Sequence, residues 1–96
     1  MKARQIIRDR LFLDAVSLIE MRVWRVPQPV PPSTHSLKYS LVYVVNGGRI
    51  IGYDNERGKG DHRHYLGQET PYVFMSIERL LADFRSDVEA LRGDLI

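Results

Sequence analysis

Two apolar runs flank the dipeptide Asn46-Gly47, and in both the apolar residues recur at alternate positions. In LKYSLVYVV, residues 37–45, Leu37, Tyr39, Leu41, Tyr43 and Val45 share one face of an extended chain; RIIGYDN, residues 49–55, follows Gly48. Successive side chains of a strand point to opposite faces, so this period of two predicts strands with one buried side. Asn and Gly tolerate the positive φ that a type I′ turn requires at its two central positions. Residues 37–55 are therefore expected to form a β-hairpin, which needs further strands or a helix to be stable in water.

The end of the chain supplies a helix. In SIERLLADFRSDVEALRG, Ile77, Leu80, Leu81, Phe84, Val88 and Leu91 recur at the spacing of one helical face. Ser76 is placed to accept a hydrogen bond from an orphan amide of the first turn, and Gly93 to take the left-handed position after the last. LIEMRVWRV, residues 18–26, sets Ile19, Met21 and Val23 against Glu20, Arg22 and Trp24, as a half-buried strand would. It stops at Pro27, and Pro29, Pro31 and Pro32 make the following segment an extended connection. RQIIRDRLFLDAV fits a helix through Ile7, Leu11 and Ala15, or a strand through Ile6, Arg8, Arg10 and Phe12. HRHYL and TPYVF predict one or two short strands before the helix. The expected fold over residues 1–96 is α+β: an antiparallel sheet of four to six strands arranged as hairpins or a meander, with the C-terminal helix packed on one face.

Composition limits the chemistry. Without cysteine there is no disulfide, thiolate nucleophile or Cys-ligated zinc, so any metal must be held by His and carboxylates. The charged start MKARQIIRDR leads into no apolar h-region, and no long apolar run occurs, so the expectation is a cytoplasmic protein outside the membrane. Charge is uneven: residues 1–68 carry 11 Lys/Arg against 6 Asp/Glu, whereas residues 69–96 carry 3 against 6. The basic part is able to meet phosphates, although a solvated surface gives the same count.

One stretch concentrates reactive side chains: GYDNERGKGDHRHY, residues 52–65. Alternation from Arg49 sets Ile51, Tyr53 and Asn55 on one face and Gly52 with Asp54 on the other. His62 and His64, two apart, point to the same side of a returning strand, with Arg63 opposite. Three chemistries use such a group. Asp54, Asp61, His62 and His64 are candidate ligands for a divalent metal. His62 and His64 could instead act as general base and acid in phosphodiester cleavage, Asp54 orienting them and Lys59 or Arg57 holding phosphate. The loop could also bind phosphate without reacting. A Walker-type loop is excluded because Gly60 follows Lys59 where Ser or Thr is needed. Set against these is a polar hairpin with no site. Trp24 reads as packed surface, Tyr39 and Tyr43 as core, and His35 as a lesser candidate.

The blocks LIEMRVWRVPQPVPPS, LKYSLVY, YDNERGKGDHRH and YVFMSIERLLADFRSDV stand in an order that resembles the TumE family of toxins from bacterial and archaeal toxin-antitoxin pairs. The resemblance implies an antitoxin partner with a helix-turn-helix domain, RNA as the suspected target, and the possibility of an oligomer. It also implies a strand at the N-terminus, although Ala15 stands where relatives have the glycine of a tight turn. Carried over by motif, it points to Lys38, Tyr39, Tyr53, Asp54, Asn55, Lys59, Asp61, His62 and His64. With Arg57, the residues Lys38, Tyr39, Tyr53 and Asn55 form the expected substrate-binding set. A non-catalytic interaction module and a metal-dependent phosphoryl or nucleotidyl transferase are the alternatives.

Overall fold

The computed structural model describes residues 2–96. Strands β1 (Arg4–Phe12), β2 (Ser17–Arg25), β3 (Leu37–Val45), β4 (Gly48–Glu56), β5 (Gly60–Tyr65) and β6 (Gln68–Pro71) form one antiparallel sheet in chain order, and helix α1 (Ile77–Arg92) covers one face. This is the α+β meander that the patterning predicts. The ambiguous N-terminal stretch is strand, paired with β2 from Arg4↔Arg25 to Phe12↔Leu18.

Local chemistry closes each hairpin. Asn46 and Gly47 take φ of 51° and 78°, the left-handed pair expected of a type I′ turn. The β1–β2 turn forms without a glycine at Ala15: the Asp14 carboxylate accepts from the Val16 N–H at 2.9 Å, and the Leu13 N–H donates to the Ser17 carbonyl at 3.0 Å. An Asx side chain here does the work of a backbone turn. Of TPYVF only Thr70 and Pro71 belong to β6; the Tyr72 N–H adds one bond to the Asp61 carbonyl of β5 at 3.0 Å, and no strand continues from there to the helix.

The helix is capped as its sequence indicates, with Ser76 Oγ accepting from the Arg79 N–H at 3.0 Å and Gly93 left-handed at φ 79°. Leu80, Phe84 and Val88 are buried against Ile19, Val23, Tyr39, Leu41, Tyr43, Ile51 and Tyr53 of the sheet. Leu91, expected in the same stripe, is 37% exposed at the helix end. Polar contacts also pin the helix to the sheet. Arg63 grips Asp87 through two nitrogens at 2.7 and 2.9 Å, and the Tyr53 hydroxyl donates to the same carboxylate at 2.5 Å. Among the described residues the opposite face of the sheet carries no helix. Among the described residues no helix is long and apolar enough to cross a membrane.

Candidate active site

The β4–β5 register builds the site on the face that the helix leaves open. Asp54 pairs with His62 and Gly52 with His64, so one carboxylate and two imidazoles meet across the two strands. Their metal-ligating atoms all lie within 4.8 Å of one another, and the His rings meet edge to face at 5.0 Å. His62 is almost wholly buried, at 4% exposure. Its Nδ1 lies 3.0 Å from the Gly60 carbonyl, which can only accept, so Nδ1 carries the proton. Its Nε2 stands 2.5 Å from Asp54 Oδ1, yet the angles are not those of a hydrogen bond and both atoms lack a partner. His64 is more open. Burial and the adjacent Arg49 guanidinium hold its pKa below the ordinary imidazole value.

Arg49 is the site residue that strand alternation does not show. Strict alternation would send it to the helix side with Ile51. The pairing Tyr43↔Ile51 is followed by Val44↔Arg49, however, so Ile50 is an unpaired bulge and Arg49 turns to the open face. There its Nη2 approaches His64 Nδ1 at 3.2 Å and its Nη1 lies 3.9 Å from Asp54 Oδ2. Gly52 makes room for it, because a Cβ at residue 52 would stand 3.1 Å from the Arg49 Cδ. The only sequence signal for Arg49 was that glycine inside a strand pattern, a common mark of a bulge or close approach.

The other expected site residues divide between the two faces. Lys59 reaches the rim of the cluster: it pairs with Glu69 at 3.0 Å, and Glu69 lies 3.4 Å from His64 Nε2. The bond that its ammonium donates to Glu69 raises the Lys59 pKa. Lys38 stays on the open face, with its ammonium on the Asn55 carbonyl. Arg57 lies at the hairpin tip beside Val26–Pro31, away from the imidazoles. Tyr39, Tyr53 and Asn55 point to the helix side and are buried.

Asp61 also points away from the His pair. Its carboxylate accepts from Ser33 Oγ at 2.5 Å and the Tyr39 hydroxyl at 2.6 Å, and contacts His35 Nε2 at 2.7 Å. Residues 61 and 62 face opposite sides of the strand, so Asp61 cannot join the cluster of Asp54, His62 and His64. It ties the proline-rich connection to β5. The Gly58 N–H adds a bond to the Pro31 carbonyl at 2.8 Å. Burial pushes the Asp61 carboxyl up, but the bonds from Ser33, Tyr39 and His35 outweigh this and hold it below its ordinary value. Burial, with Asp61 as acceptor, pushes the Tyr39 hydroxyl pKa far up, and it stays a donor.

The fold and the cluster define a small α+β protein that presents an acid–imidazole group on an otherwise basic, open sheet face. The family model described as Toxin TumE matches residues 2–92, and the chain belongs to the TumE toxin family. No curated protein and no solved structure matches it.

Proposed function

We propose that this toxin cleaves RNA at the open face, with Asp54, His62 and His64 activating the attacking hydroxyl and Arg49 and Lys59 holding the phosphate. The observation that carries this reading is a single row of residues across the sheet. Arg8 pairs with Arg22, Arg22 with Ser40, Ser40 with Asp54 and Asp54 with His62. A polyanion laid along this row meets two guanidiniums and then the cluster. The Arg22 guanidinium is part exposed and lies 3.2 Å from Glu20, an ion pair that a phosphate laid along the row would have to share. Trp24 and Lys38, paired on the same face, extend the platform with an aromatic surface and a further cation.

In the reaction the attacking oxygen gives its proton to the cluster and bonds phosphorus, while the leaving oxygen departs with a proton from solvent or a site acid. Arg49 is positioned to stabilise the charge that builds on the phosphoryl oxygens. As a toxin the protein pairs with an antitoxin, for which a helix-turn-helix repressor is the proposed form, and both act in the cytoplasm. The test is incubation of the purified protein with cellular RNA, beside His62→Ala and His64→Ala variants of equal soluble expression. Cleavage by the wild type alone supports the reading; cleavage that survives both substitutions removes these residues from the mechanism. Tight antitoxin binding with no cleavage at all would favour a non-catalytic module.

A further inference from the structure

The buried contact between His62 and Asp54 sets two polar atoms side by side with no hydrogen bond between them. The Gly60 carbonyl fixes the proton of His62 on Nδ1, so the neutral ring presents a lone pair at Nε2. Beside Nε2, 2.5 Å away but out of line for a hydrogen bond, is Asp54 Oδ1, also an acceptor. The imidazole is 5% exposed, so water cannot readily relieve this pairing, and neither atom finds another partner. An unpaired polar group of this kind is costly in a protein interior, and a positive charge between the two atoms removes the cost.

We infer that Asp54, His62 and His64 form a binding site for one divalent transition ion of the imidazole-binding class, Zn²⁺ foremost, rather than Mg²⁺ or Ca²⁺. Two imidazoles select Zn²⁺, because Mg²⁺, Ca²⁺ and Mn²⁺ favour oxygen ligands. A carbonyl that fixes the tautomer of a ligating His is the usual outer partner of such a ligand. The donor atoms of all three residues are already within 4.8 Å of one another. Two donors, each about 2.0–2.1 Å from a tetrahedral ion, stand roughly 3.3 Å apart, so the Asp54 carboxylate must swing back from its present position. His64 comes to the ion by releasing Arg49 or the proton on its other nitrogen, and Arg49 remains beside the metal to take phosphate.

The ion's role in activating a nucleophile rests on the RNA-cleaving reading, but its binding does not, and the two are measured separately. The full chain is stripped with a chelator and titrated by calorimetry with Zn²⁺, Mn²⁺ and Mg²⁺, and bound metal is counted by elemental analysis. One Zn²⁺ per chain is expected, with weaker Mn²⁺ binding and no saturable Mg²⁺ binding. Asp54→Asn and His62→Gln should each weaken binding by more than about 100-fold, above the 10–100-fold typical of outer-partner losses, while Glu56→Gln leaves it unchanged. Co²⁺ loaded into the wild type should perturb the imidazole nitrogens of His62 and His64 in ¹⁵N spectra, a readout that does not depend on any variant folding. A stoichiometry of zero, or Co²⁺ that leaves both rings undisturbed, overturns the site and assigns the positive charge to a proton. Metal bound without RNA cleavage would overturn the proposed function alone; cleavage by metal-free protein would overturn the metal's part in it.

Discussion

Asn55 separates a structural role from a substrate-binding one. It is fully buried, and its side chain carries the β3–β4 ladder past the last backbone pair at Ser40↔Asp54. Oδ1 accepts from the Tyr39 N–H at 2.9 Å, and Nδ2 donates to the Leu37 carbonyl at 2.7 Å. Asn55→Ala strands both backbone groups in the interior. Each orphan costs about 1–3 kcal/mol, so the loss comes to about 2–6 kcal/mol before any cavity is counted. For a chain of this size each kcal/mol lowers the melting temperature by about 4–8 °C, so even the low end is a fall of about 8 °C. Asn55→Asp should do no better, because a carboxylate oxygen would then face the Leu37 carbonyl. Urea and thermal unfolding measure the loss, and RNA cleavage per folded molecule at low temperature should be preserved. A stability change under about 1 kcal/mol together with abolished cleavage would refute the argument and return Asn55 to the substrate.

Four further outcomes are expected. Gly52→Val should displace Arg49 from His64 and Asp54, given the 3.1 Å approach already set by a bare Cβ, and reduce RNA cleavage far more than it lowers the melting temperature. Arg8→Ala and Arg22→Ala should each reduce the slope of log affinity against log salt for RNA by about 1, without changing sequence preference, if both touch phosphates. Phe84→Ala removes a buried aromatic ring from the helix–sheet interface and should cost about 3–5 kcal/mol in chemical denaturation. The Asp61 carboxyl titrates lower in the folded protein than in the unfolded chain. Its contribution is therefore present above the unfolded value near pH 4 and lost as pH falls through the folded value; Asp61→Asn should flatten the stability–pH curve in that acid range.

Much of this architecture was legible because short-range rules govern it. The period of two in residues 37–45 and 49–55, the Asn46-Gly47 turn, and the Ser76 and Gly93 caps are decided within a few residues, and each is found where it was expected. The same period set His62 and His64 on one side and Arg63 on the other, and residues 62 and 64 do share the open face while Arg63 meets the helix. The N-terminal stretch could not be read this way. As an exposed edge strand it has no buried stripe to impose a period, and only pairing with β2 decides it.

Alternation along a strand assigns residues to faces, but it cannot say which face the helix will bury or where a bulge interrupts the count. Alternation already separated Tyr53 and Asn55 from Asp54, and Asp61 from His62; packing of α1 and the proline-rich connection decided that theirs is the covered face. Arg49 departs from the count, because one unpaired residue at Ile50 turns it toward His64. The sequence by itself determined strands β2 to β4, the Asn46-Gly47 turn and the capped helix, since φ preferences and side-chain periods act locally. Only the tertiary structure decided that Asp54 and His62 meet as two buried, unpartnered polar atoms, because that contact depends on the register between two strands and on a backbone carbonyl that fixes one proton.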